Sequence, residues 1–232
     1  MVWMTLFHFS FDLNHFGYIQ QNFLIDPFWT WQRTVILSLF VFTAGVSQAV
    51  AVHQGQSWPR FWQRWWWVAG SALLVSGGSY LMYPNTFIYF GVLHGIAVML
   101  ILVRVTAGWG DWLWLLGLLA IATKYIAESV LLMGTSADLF NSIGLNWLGL
   151  ITAKPVTEDY VPLIPWLGVM WWGMAAGTWV ARSRRHWLTL NPSSTGRALS
   201  AMGRHSLIYY LVHQPVMIGA IMVFSFLQMR SL

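Results

Sequence analysis

The chain has 232 residues, of which 57% are hydrophobic and only 8% charged, and its mean hydropathy is +0.59. Soluble domains need about 25% charged residues to cover a water-facing surface, so a soluble globular fold is excluded and the outer surface is expected to meet lipid. Cysteine is absent, which removes disulfide frameworks, thiolate nucleophiles and thiolate metal sites.

A membrane-crossing helix takes roughly 17–25 mostly apolar residues, and seven stretches approach that measure. The first, Val2–Phe16, carries His8, Asp12 and His15 at i, i+4 and i+7, which is one helical face. Gly17 then stands where a C′ glycine ends a helix, so the dipole there favours a protonated His15. The apolar start lacks a basic n-region and a small-residue cleavage site, so no cleavable signal peptide is expected. Trp29–Val52 is the second span, followed by a loop with Arg60 and Arg64. Trp65–Tyr83 comes third, a Pro84–Asn85 turn follows, and Thr86–Val105 is the fourth, with His94 inside and Arg104 at its end. The fifth, Trp112–Leu132, holds Lys124 and Glu128 at i, i+4, where they can form a structural ion pair. A long segment, Met133–Ile164, contains Asn141, Asn146, Lys154, Glu158, Asp159 and Tyr160. Pro165–Ala181 is the sixth span, with Pro165 suited to a first helical turn. The next loop holds Arg182, Arg184, Arg185, Arg197 and Arg204, and Ser206–Gln228, with His213, is the last span.

If the spans alternate, the arginine-rich loops share one side, which the positive-inside rule makes cytoplasmic. The expectation is an all-α, multi-pass bundle of about seven transmembrane helices with a cytoplasmic N-terminus. It forms one domain over residues 1–232. The formal charge of +5 sits in short loops between apolar runs, so it reports topology and no nucleic-acid partner is expected.

Histidine titrates near neutrality and supplies both a donor and an acceptor. Each of His8, His94 and His213 taken singly reads as an interhelical hydrogen bond; three of them with Asp12 read better as a shared polar cavity. Asp12 is one turn from both His8 and His15 and can orient either. Glu158, Asp159 and Tyr160, with Asn146 upstream, form a polar outer mouth, or simply a solvated acidic loop. The basic inner loop has arginine and glycine enough for a phosphorylated ligand. No P-loop, GxGxxG, HExxH or GxSxG pattern occurs.

Four stretches, FHFSFDLNHFG, FGVLHGIAV, DYVPLIPWLG and GRHSLIYYLVHQPV, occur in this order along the chain. Together they resemble a bacterial member of the heparan-alpha-glucosaminide N-acetyltransferase family. The resemblance implies a transmembrane acyltransferase of the bacterial cytoplasmic (inner) membrane. It would move acetyl from cytoplasmic acetyl-CoA to a hydroxyl or amine of an extracytoplasmic glycan or amino sugar. An asparagine of the lysosomal member falls at His8, its essential histidine nearest His15, and its late Gly-Asn-Ser…His stretch on Gly203–His213. His15 or His8 is then the base, Asp12 its orienter, and His94, His213 or an asparagine the oxyanion donor. Arg197 and Arg204 would hold acetyl-CoA, and Asn146, Asp159 and Tyr160 the acceptor. No metal is expected, and a homodimer is compatible with this reading. The family's Arg-Gly stretch ahead of the first apolar helix is not present here. Two rival readings are a proton-coupled transporter working through Asp12, Glu128 and the histidines, and a redox module with His94 and His213 as axial haem ligands.

Overall fold

The computed structural model describes residues 1–131, 135–184, 187 and 193–230. Leu132, Met133 and Arg185 of the segments above lie outside the described residues. The fold is helical: α1 (Val2–His15), α2 (Pro27–His53), α3 (Trp58–Met82), α4 (Val92–Val105), α5 (Trp112–Ile126), α6 (Thr135–Asn141), α7 (Leu163–Ser183), α8 (Ser194–Arg204) and α9 (Ser206–Arg230). Among the described residues the sole β pairing is an isolated parallel bridge, Phe90 to Tyr160. Three helical stretches are long and apolar enough to cross a membrane: α2, Val92–Trp109 (α4 with its following 3₁₀ turn) and α9. Helices α3 and α7 have 25 and 21 residues, but both are rich in tryptophan, whose indole N–H prefers the interface to pure hydrocarbon.

The chain forms two compact units, Met1–Leu37 with Asn191–Leu232, and Ser38–Leu190. In the first, α1 lies along α9. Thr5 and Tyr209 share a hydroxyl–hydroxyl hydrogen bond, and Tyr18 Oη meets Ser225 Oγ at 2.8 Å. The Trp3 indole donates to Gln32 Oε1 at 2.9 Å. Phe23, which is buried, stacks on Trp29 at 4.1 Å and meets Phe7 edge-on.

In the second unit, α2 and α7 approach until backbones touch. A Cβ on Gly45 would meet the Met170 carbonyl oxygen, and one on Gly173 would meet that of Phe42. Without a hydrophobic drive between helices in lipid, such small-residue contacts supply the packing. The Trp65 indole ties α3 to α4 by donating to the Ala97 carbonyl at 2.7 Å.

Three departures from the sequence expectation have identifiable physical causes. Helix α3 starts at Trp58 rather than Trp65, because Pro59 fits a first turn. Helix α4 starts at Val92 rather than Thr86, because the residues before it pair elsewhere. Glu158 N–H donates to Thr86 O at 2.9 Å, Val161 N–H to Phe90 O at 3.2 Å, and Thr157 Oγ1 to Phe87 O at 2.8 Å. The expected Lys124–Glu128 ion pair does not form. Helix α5 ends at Ile126 and passes into a π-helical turn, Ala127–Leu131, whose wider winding breaks the i, i+4 alignment.

Candidate active site

Helix α1 ends as its sequence suggests. Gly17 sits at φ 80°, its N–H donates to Asn14 O at 3.1 Å, and Tyr18 N–H donates to Leu13 O at 2.9 Å. This is a Schellman closure, and it needs a left-handed residue at Gly17. An L-residue there costs about 1–2 kcal/mol, so Gly17→Ala is expected to lower thermal stability in detergent by that amount. An unchanged melting curve would show that the closure is not needed.

The closure fixes the register of α1. Thr5, His8 and Asp12 then face α9, and the residues that meet them there are one turn apart: Tyr209 and His213, with Gln214 beside. The His8 and His213 rings are 5.2 Å apart at 64°. Tyr209 lies parallel to His213, 5.8 Å away at 5°, and its hydroxyl is held by Thr5.

The partners of His213 determine its tautomer. Its Nδ1 faces two carbonyl oxygens, Tyr210 at 2.8 Å and Tyr209 at 3.2 Å. Carbonyls only accept, so Nδ1 carries the proton and Nε2 keeps its lone pair. That Nε2 is buried and has no protein partner. A neutral imidazole with a bare, buried Nε2 is equipped to take a proton rather than to donate one. Asp12 is 3% exposed. The Gln214 side chain faces its carboxyl, and its Oδ2 is likewise buried without a partner. Helix α1 and α9 thus present two unsatisfied polar atoms of the kind that protein interiors rarely leave unpaired. His15 is exposed in the last turn of α1, close enough to Asp12 to act on its charge.

His94, in the second unit, has the opposite arrangement. Gly91 N–H donates to its Nδ1 at 3.3 Å, so Nε2 carries the proton and donates to Ser76 Oγ at 3.1 Å. Ser76 in turn donates to Ile88 O at 2.6 Å. Both nitrogens of His94 are committed to shaping the start of α4, which leaves neither for an iron and weakens the haem alternative.

The polar residues of the 146–160 segment form a second, half-buried network around Asn146. Asn146 Nδ2 donates to Tyr89 Oη at 2.8 Å, Tyr160 Oη donates to Asn146 O at 2.6 Å, and Asp159 Oδ2 accepts from Val92 N–H at 2.7 Å. Burial, with the Tyr89 phenol beside it, pushes the Tyr160 hydroxyl well above the ordinary tyrosine range, so it stays a neutral donor. Asp159 caps the N-terminus of α4, where a carboxylate is favoured. These side chains hold the 86–91 and 157–161 segments together. Arg197 and Arg204 are both exposed on α8, seven residues apart and so on one face.

Thr5, Tyr209 and Gln214 were not among the sequence candidates. The signal for Tyr209 was its i, i+4 spacing to His213 in YYLVHQ; Thr5 offers none beyond preceding His8 by one turn.

A family model described as heparan-alpha-glucosaminide N-acetyltransferase, catalytic, matches residues 1–215. No curated protein and no solved structure matches the chain. The match takes in all the elements above up to Pro215 in α9. The chain is therefore a membrane protein that belongs to the heparan-alpha-glucosaminide N-acetyltransferase catalytic family, a family of acyltransferases.

Proposed function

We propose that this protein moves acetyl from cytoplasmic acetyl-CoA to a hydroxyl or amine of an extracytoplasmic sugar or glycan. In this reading it sits in a bacterial cytoplasmic membrane as about seven helices with the N-terminus inside. The family match runs through both compact units, which supports reading the chain as one catalytic domain.

The observation that carries the chemistry is the buried Nε2 of His213, without a partner and beside His8. The acceptor's O–H or N–H gives its proton to that nitrogen as its oxygen or nitrogen attacks the acetyl carbonyl. The C–S bond breaks, and the CoA sulfur leaves as a thiolate that collects a proton. His8 serves as the donor to the developing oxyanion, or passes the proton onward, and Asp12 stabilises the positive charge that arises between the rings. His15 lies at the more exposed end of the same face, where protons exchange with solvent. Arg197 and Arg204 on α8 supply positive charge for the CoA phosphates.

The test is transfer of labelled acetyl from external acetyl-CoA to an amino sugar trapped inside proteoliposomes. Asp12→Asn is expected to lower the rate roughly tenfold, the equivalent of one pKa unit of imidazolium stabilisation. Labelled acetyl that never reaches a sugar, in vesicles of either orientation, would remove the acetyltransferase reading. The transporter reading would instead show acceptor uptake without acetylation.

A further inference from the structure

One face of α3 changes character along its length. Arg60, Arg64, Trp67 and Leu74 fall on the same side of the helix. They run from guanidinium to indole to aliphatic over about 21 Å of rise. Trp67 and Leu74 are 73% and 71% exposed, and Trp66 beside them 65%. Arg60 and Arg64 are exposed as well. No acidic residue stands between Asp26 and Asp111, whereas Arg33, Arg60, Arg64 and Arg104 all do.

The opposite face holds this surface rigid. Phe61 is buried, Trp65 is tied to Ala97 O, and the Arg104 guanidinium lies 5.0 Å over Trp58 while donating to Gln56 O. Arg104 Nε remains buried with no protein acceptor. Among the described residues neither Arg60 nor Arg64 has an anionic partner, and the Trp67 indole and much of Trp66, which meets Trp65 on one side, stay uncovered.

We propose that the first three turns of α3 bind the headgroup of an anionic phospholipid. The phosphate sits between Arg60 and Arg64, the indoles of Trp66 and Trp67 lie at the glycerol level, and the acyl chains run along Leu74. A soluble phosphate would engage the arginines alone. The ordered passage to exposed indole and then leucine is what a lipid, with charge at one end and hydrocarbon at the other, complements.

The experiment is native mass spectrometry of the full chain in detergent, titrated with phosphatidylglycerol and, separately, phosphatidylcholine of the same acyl chains. Wild type is expected to bind phosphatidylglycerol preferentially. The Arg60→Gln, Arg64→Gln double variant is expected to lose roughly tenfold to thirtyfold in affinity for it, and each single variant about fivefold. Binding of phosphatidylcholine should not change. Arg33→Gln with Arg230→Gln removes the same charge elsewhere and should leave the preference intact. The proposal fails if the Arg60 and Arg64 variants keep the preference, or if the Arg33 and Arg230 pair loses as much. It also fails if millimolar inorganic phosphate displaces the lipid, which would make the arginines a site for free phosphate.

Discussion

His213→Ala is expected to lower acetyl transfer by about 10²–10⁴-fold, the usual contribution of a positioned proton acceptor. The fold should tolerate the change, because the Nδ1–H of His213 bonds only to carbonyls of its own helix. The amide variants separate base from scaffold. His213→Asn can restore the donor to the Tyr210 carbonyl, and His213→Gln can place an oxygen near Nε2, yet neither amide takes up a proton near neutrality. If Nε2 is the base, all three variants are comparably slow. If the ring merely fills space against Tyr209 and His8, the amides recover most of the rate, and the assignment of the proton to His213 is then wrong. The measurement is labelled acetyl transfer by each variant in proteoliposomes, set against its elution profile in detergent. His8→Ala is expected to fall in the same range, since it removes the ring 5.2 Å away.

Gly173→Val should be the most damaging change in the second unit. Its Cβ would meet the Phe42 carbonyl, and Gly45 Cα lies close behind. A backbone carbonyl cannot rotate aside as a side chain can, so α2 and α7 must separate along their contact. Overpacking of this kind costs about 3 kcal/mol and should appear as a loss of monodisperse protein on extraction and a sharply lower melting temperature. Gly70→Ala and Gly78→Ala are the controls, because a Cβ at either meets nothing within 4 Å. Those variants should stay within about 1 kcal/mol of wild type, in the stabilising direction, since alanine favours helix over glycine. If Gly173→Val melts like wild type, the close contact does not carry the packing.

The helical class could be read from hydropathy alone, and the ends of α1, α2 and α9 came within a few residues. The start of α4 failed because partners distant in sequence decide it. Thr86–Phe90 is apolar enough to continue α4, yet its carbonyls are taken by Glu158 and Val161. The Lys124–Glu128 spacing promised an ion pair, and the π turn after Ile126, which spacing does not reveal, removed it. For the site, the sequence placed candidate histidines on α1, α4 and α9 but could not rank them. His94 and His213 look alike as letters in apolar helices. One has both nitrogens engaged by Gly91 and Ser76, whereas the other keeps one bare. Hydrogen-bond partners that arise only on folding make that difference.

The pairing of 86–91 with 157–161 also bears on assembly order. The Thr86 hydroxyl donates to Glu158 Oε1 at 2.6 Å across a separation of 72 residues, and everything between, including α4 and α5, must be threaded before the two segments meet. Loop closure over that length brings an entropic penalty with no local reward. The same contact fixes where α4 begins, since Asp159 caps Val92. Synthesis delivers α4 first and its cap last. The first turn of α4 therefore waits, without its capping carboxylate, until the chain has been made as far as Asp159, and a ribosome paused between residues 92 and 157 would hold an α4 whose N-terminal end is still open.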